Sequence, residues 1–200
     1  MAMKATRRIL VIQGHPDPAG AHFCHALAAS YAQGAQEAGH DVQKLEVAGL
    51  DFPLLRTQYD WETGTVPESL RGAQEAIRRA EHIAIFFPLW LGDMPAVLKA
   101  FWEQVLRPGF AFTAGPGGNP FKHKGLTGRT ARLVVTMGMP SAIYRLYFMA
   151  HSVRSLERNI LGFVGIAPVE ETLVGSVQSL DDGQAQRWLA KLHALGRKAA

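Results

Sequence analysis

Along this chain the apolar positions alternate between two patterns: short continuous runs, as in buried strands, and the three-to-four spacing of amphipathic helices. Arg8 to Gln13, with Ile9 to Ile12 at its centre, predicts a buried strand. After a turn at Gly14 to Gly20, Ala21 to Ala38 predicts an Ala-rich helix with Phe23, Leu27 and Tyr31 on one face, stopped by Gly39. Val42 to Val47 alternates imperfectly and predicts an edge strand, and Gly49 to Gly64 reads as irregular, with Phe52, Tyr59 and Trp61 in it. Thr65 to Glu68 resembles a capping box ahead of a helix whose face is Leu70, Ala73, Ile77 and Ala80. His82 to Phe87 is the third strand, and Pro95 to Leu106 is a helix with Val97/Leu98, Phe101/Trp102 and Val105/Leu106 on one stripe. A Gly/Pro-rich loop, Pro108 to Arg129, leads to a fourth strand at Ala131 to Met137. Ser141 to Leu161 predicts one helix and Val169 to Val174 the fifth strand. The last helix, Asp181 to Arg197, opens on Asp181 and Gln184 as a capping pair and presents Trp188, Leu189, Leu192 and Leu195.

Strands and helices in strict alternation predict an α/β domain over 1–200: a doubly wound, five-stranded parallel sheet of order 2-1-3-4-5. In that order the loops after strands one, three and four meet in one crevice at the carboxyl edge of the sheet, where ligands bind.

Composition narrows the classes. With 200 residues and 48% hydrophobic content, the chain can bury a sizeable core. It has no apolar run long enough for a bilayer, so a membrane-embedded protein is not expected. The basic start, Met1 to Arg8, precedes only Ile9 to Ile12 before Gly14, which reads as a strand rather than a secretory signal. Cys24 is the only cysteine, excluding an intrachain disulfide and thiolate metal clusters. A cytoplasmic location is expected. The net charge is +4, and the small basic groups at Arg78-Arg79, Lys122-His123-Lys124 and Arg129/Arg132 read as solvated faces. Attraction of an anionic nucleotide is the alternative reading. No basic array interleaved with aromatics points to nucleic acid.

Each loop at the crevice carries candidate chemistry. The first, Gly14 to His22, leads into a helix N-terminus, whose free N–H groups favour an anion. It has neither a G-x-G-x-x-G pattern nor a Walker lysine, while His15 and His22 can donate to a phosphate. His15-x-Asp17, with His22 and His25 nearby, is a conceivable metal pair, but no Cys or Glu completes a set, so no metal is expected. The second loop exposes Trp90, Leu91 and the peptide groups of Leu89 to Gly92, more apolar surface than a connector needs, which points to a flat aromatic ligand. The third, Thr136 to Ser141, includes Gly138, where backbone can approach a ligand closely. Tyr144 and His151, seven apart and so on one helix face, are candidate donors to a reduced, anionic ring. The plain alternatives are a capping turn, a core-packing turn and two satisfied polar side chains. There is no nucleophile elbow, and Gln13-Gly14-His15 stands where a phospho-acceptor pocket would need carboxylates.

Taken in order, these motifs resemble the flavodoxin-like NAD(P)H:quinone oxidoreductases, including small bacterial members and the potassium-efflux ancillary reductases. The resemblance runs through Ile9 to Pro16, Phe23 and Ala26, Phe87-Pro88-Leu89-Trp90, Pro95-Ala96-x-Leu98-Lys99, Gly109-Phe110-Ala111-Phe112, and Thr136-Met137-Gly138 with Tyr144. It implies a flavodoxin-like three-layer sandwich and a non-covalent flavin, FMN or FAD. It also implies NAD(P)H as hydride donor and ping-pong transfer to a quinone-like acceptor. By the same resemblance, His15, His22 and Phe23 lie at the phosphate and ribityl end. Pro88, Leu89, Trp90 and Leu91 hold the ring from one side, and Thr136, Met137 and Gly138 meet its polar edge. Tyr144 matches the family's active-site tyrosine, and His151 its partner histidine, one residue out of register. The family's homodimers place their sites at the subunit interface. The segment around Phe52, Tyr59 and Trp61 and the Phe110 to Phe121 loop are the candidates for closing the site.

The chain departs from the family pattern at three places. Trp90-Leu91 replaces a Gln-Trp pair, Gly138-Met139-Pro140 replaces a Gly-Gly pair, and Cys24 replaces an Asn. These changes bear on the substrate face rather than on the backbone that holds flavin. The other functions to weigh are a flavodoxin-type electron carrier and a flavin-binding regulatory subunit of a membrane transporter. Basic charge and two long aromatic loops favour the enzyme over the carrier.

Overall fold

Five parallel strands, in the order β2-β1-β3-β4-β5, form the centre of a computed structural model that describes residues 6–113 and 124–200. They are β1 Arg8–Gln13, β2 Asp41–Glu46, β3 His82–Pro88, β4 Thr130–Thr136 and β5 Val169–Val174. The three central strands are buried on both faces because helices cover both, as parallel sheets require. β2 is mostly exposed and lies at the edge, as its weak alternation predicts.

One face of the sheet, Ile9, Val11, Ala84, Phe86, Val134 and Val174, packs against helices α1 (Phe23–Glu37) and α8 (Asp182–Lys198). These two helices cross closely because Gly34 and Gly196 lack side chains. A Cβ at Gly34 would lie 2.1 Å from the His193 carbonyl oxygen, and one at Gly196 would lie 2.0 Å from that of Tyr31. The other face holds Leu10, Ile12, Ile85, Phe87, Leu133 and Val135 against α3 (Glu68–Arg79), α4 (Ala96–Val105) and the chain after β4. Among the described residues no helix is long and apolar enough to cross a membrane.

Several local expectations change. Within Gly49 to Gly64 a short helix forms, α2 (Gln58–Thr63), because the Thr57 hydroxyl accepts from the Asp60 N–H at 3.0 Å. The Thr65–Glu68 capping box is absent: Pro67 precedes α3 and makes no side-chain cap. The Asp181/Gln184 box does form, in both directions.

The single helix expected at Ser141 to Leu161 is broken. α5 (Ser141–Leu146) ends in a turn where Met149 and Ala150 take φ of 56° and 48°. The chain resumes as α6 (His151–Ser155), a π-helical turn (Leu156–Leu161) and α7 (Gly162–Val164). Tyr144 and His151 therefore do not share one helix face. Arg132 is not on a solvated face either. It points inward from β4, donating to the Thr172 hydroxyl at 2.9 Å and pairing with Glu170. Of the Pro108 to Arg129 loop, 114–123 lies outside the described residues, and with it most of the Phe110 to Phe121 segment and of the Lys122-His123-Lys124 group.

Candidate functional site

The strand register brings the three loops together. Gln13 pairs with Phe86 and Pro88 with Thr136, so β1, β3 and β4 end side by side. Two short backbone bonds join their ends: Gly14 N–H to Phe86 O and Leu89 N–H to Thr136 O, both 2.7 Å.

The first loop is tied down by the buried Gln13 carboxamide. Its oxygen accepts from the His15 N–H at 3.0 Å, and its nitrogen donates to the Cys24 carbonyl at 3.3 Å. The Cys24 thiol is buried against Gln13 and Thr136, and burial pushes it up to about 12, so it is inert packing rather than a nucleophile. His15, His22 and His25 gather here. The His15 and His22 rings stack at 3.9 Å, and His25 meets them edge-on at 5.0 and 5.4 Å.

His15 Nδ1 lies 3.1 Å from the Asp17 amide nitrogen and 3.2 Å from the Asp17 carbonyl oxygen, so it accepts from the one or donates to the other according to its tautomer. His22 Nε2 is 2.8 Å from the Asp17 carboxylate. Burial, and then the proximity of His22, lower the His15 pKa. The Asp17 carboxyl is lowered mainly by its bond with His22. His22 is the N-cap of α1 but makes no side-chain cap bond; its carbonyl takes the His25 N–H at 2.9 Å, which leaves the amides of Phe23 and Cys24 for a ligand. Phe23 is half-buried at the start of that turn.

The second loop is a tight hairpin. Trp90 N–H and Asp93 O, and Asp93 N–H and Trp90 O, bond at 2.8 and 2.9 Å across Leu91 and Gly92, whose φ are 48° and 81°. Pro88 is buried and Leu89 half-buried, while Trp90 and Leu91 are 51% and 109% exposed. Trp90 lies edge-on to His15 at 6.2 Å. In the third loop Thr136 and Met137 are buried and Gly138 is open: a Cβ there would meet nothing nearer than 3.9 Å.

Tyr144 is fully buried, and its hydroxyl accepts from the Val153 N–H at 3.3 Å. Burial raises its pKa, with Ser152 and Val153 bonding it. The Ser152 hydroxyl also donates to the Asp93 carboxylate, which takes the Met94 N–H at 2.7 Å. This Asp93–Ser152–Tyr144 chain ties the second loop to the segment after the third. His151 is exposed, its Nδ1 3.0 Å from the Phe148 carbonyl. Among the described residues no three His, Cys, Asp or Glu side chains are grouped as a metal site needs. Neither Gln13 nor Ser152 is conspicuous in the sequence, because each acts through side-chain bonds that join separate segments, Gln13 to Cys24 on α1 and Ser152 to Asp93 in the second loop.

An exposed aromatic wall beside uncapped helix amides fits a ligand that joins a flat ring to an anionic tail, as a flavin nucleotide does. Comparison with known proteins agrees with this. A family described by a flavodoxin-like fold matches residues 7–195. An uncharacterized NAD(P)H oxidoreductase of Haemophilus influenzae is 28% identical over 198 residues, covering 93% of this chain and 96% of the relative. The structure of the NAD(P)H:quinone oxidoreductase from Methanothermobacter marburgensis superimposes with a TM-score of 0.77 at 25% identity over 97% of each chain. An FMN-dependent NADH-azoreductase of Bacillus anthracis, solved with FMN, shares the fold at a TM-score of 0.71 and 13% identity, over 98% of this chain and 100% of that one.

Proposed function

This chain belongs to the flavodoxin-like family, and on that footing we propose that it is a flavin-dependent NAD(P)H oxidoreductase reducing quinones or similar acceptors. The observation that carries this reading is the pairing of the exposed Trp90–Leu91 wall with the histidine-flanked start of α1 in one crevice.

A bound flavin, FMN or FAD, supplies the two-electron chemistry between NAD(P)H and the acceptor. The protein's part is to bind, orient and exclude water. His15, His22 and the first-turn amides at Phe23 hold the phosphate end. Pro88, Leu89, Trp90 and Leu91 form the apolar wall, and the backbone at Thr136, Met137 and Gly138 meets polar ring atoms. His151 is the exposed donor to the reacting molecule. Tyr144 acts as a positioning residue: its buried hydroxyl holds Ser152, and through it Asp93 and the second loop.

We assign the molecule to a homodimer in the cytoplasm. Leu146, Tyr147, Phe148 and Met149, with Ile143 shortly before them, are exposed apolar side chains in the segment after the third loop, as an interface would need. Sedimentation should give a dimer that Tyr147→Glu weakens. A monomer at all concentrations contradicts this assignment.

Anaerobic mixing tests the activity. NADH or NADPH should bleach the visible flavin absorption rapidly, and a quinone should restore it; an electron carrier would not react directly with the nicotinamide. Tyr144→Phe with His151→Ala should slow at least one half-reaction by about ten-fold or more. Unchanged rates in both would remove these two residues from the mechanism.

A further inference from the structure

A carboxylate stands at the end of the crevice that is to hold an anion. From Ile9 to Gln43 the chain has no lysine or arginine, so the first loop meets a phosphate with imidazoles and backbone amides alone, and Asp17 lies among them. Asp17 is held at both oxygens. Oδ1 accepts from the Ala19 N–H at 2.9 Å, and Oδ2 accepts from His22 Nε2 at 2.8 Å. The bond with His22 is the main cause of the lowered Asp17 pKa, so the side chain is ionised at neutral pH. An incoming phosphate therefore competes with Asp17 for the His22 proton.

The imidazoles do little to offset this charge. The His15 and His22 rings stack at 3.9 Å, where two like charges repel each other. Burial, and then His22, lower the His15 pKa, so His15 is neutral at neutral pH. His22 as an imidazolium at most cancels Asp17. His25 is edge-on to both rings, with Nδ1 3.0 Å from the Gly20 carbonyl, and lines a small cavity with Lys44 and Glu46, whose charges cancel. The standing attraction for an anion is thus the start of α1, whose dipole is worth about half an elementary charge. A phosphomonoester brings about 1.5 to 2 negative charges at pH 7, all on one phosphorus. A diphosphate diester carries a single charge on each phosphorus, and only the nearer one must lie beside Asp17.

We propose that Asp17 determines cofactor specificity, making the crevice select FAD over FMN; this rests on the flavin reading given above. FMN ends in a phosphomonoester, whereas FAD joins its two halves through a diphosphate diester. The Asp17 carboxylate repels the dianion of FMN more strongly than the nearer, singly charged phosphate of FAD.

The test is a competition at pH 7.5. The full chain as purified is equilibrated with an excess of FMN and FAD in equal amounts, and the flavins retained through gel filtration are separated and quantified. The unaltered chain should retain mostly FAD. Asp17→Asn removes the charge and keeps an oxygen for the Ala19 N–H. It should lower the retained ratio of FAD to FMN by about five-fold, the size of an exposed charge–charge interaction. Glu75→Gln, which removes the same charge from α3, should leave the ratio where it was. A purely structural role for Asp17 would change the total flavin retained and not the ratio. FMN retained in preference to FAD by the unaltered chain, or an unmoved ratio in Asp17→Asn, overturns the proposal and leaves the flavin reading standing. Retention of neither flavin by the unaltered chain overturns both.

Discussion

Leu91 occupies a backbone conformation that suits glycine or asparagine, with φ of 48° and its side chain wholly in solvent. With Gly92 it makes the tip of a two-residue hairpin, where positive φ at both central positions is required. A leucine there costs about 1–2 kcal/mol relative to an unstrained residue. Natural chains keep such strain mainly where function uses the side chain. Leu91→Gly should therefore raise stability by about 1 kcal/mol in urea denaturation, allowing for the greater freedom of glycine in the unfolded chain. The same variant should bind flavin more weakly, because the crevice loses part of its wall. Higher stability with unchanged flavin affinity would mean that Leu91 does not touch the ligand. At this scale the candidate site was partly legible. His15, His22 and Trp90 stand out as residue types at loop positions. Gln13, Ser152 and Asp93 do not, since their importance comes from bonds between distant segments.

Among the elements, the last helix shows how local chemistry can be read directly. Asp181 and Gln184 bond reciprocally, each side chain to the other's backbone N–H, at 2.6 and 3.0 Å. Asp181→Ala should cost about 1 kcal/mol in thermal or urea unfolding without changing flavin content. A neutral result would mean that packing against α1 alone holds the start of α8. The segment after β4 teaches the opposite lesson. Its apolar spacing stays helical from Ile143 to Ile160, yet the chain turns at Met149 and Ala150. Neither residue type favours left-handed backbone, so nothing local announces the turn. The inserted π-helical turn then shifts the register of the helical residues beyond it. Arg132 was equally hidden: a cation in a strand looks solvated until its inward alternation with Ala131 and Leu133 is matched to Glu170 and Thr172 on β5.

For the whole molecule, the alternation of strands and helices was enough to specify the sheet order, because right-handed crossovers leave few alternatives. The same burial that builds the sheet sets its response to acid. His82 is buried on β3 beside Thr130, and burial, followed by the nearby charges of Arg132, Arg7 and His40, lowers its pKa to about 4. The unfolded chain takes up this proton near the usual imidazole pKa, whereas the folded chain does not. Stability should thus fall as pH drops from about 6.5 toward 4, by at most about 3 kcal/mol from this group. His82→Gln should flatten that part of the profile in urea titrations, and an unchanged slope would assign the acid sensitivity to other groups. The fold, the loop convergence and the exposed aromatic wall all lead to one claim, that the crevice at the carboxyl edge of β1, β3 and β4 holds a flavin. Its most direct test is the visible absorption spectrum of the purified protein, followed by mass analysis of the cofactor released on denaturation. The expected result is a yellow protein that releases intact FMN or FAD, or an apoprotein that takes up one of them stoichiometrically. A colourless protein that neither flavin can reconstitute would contradict it.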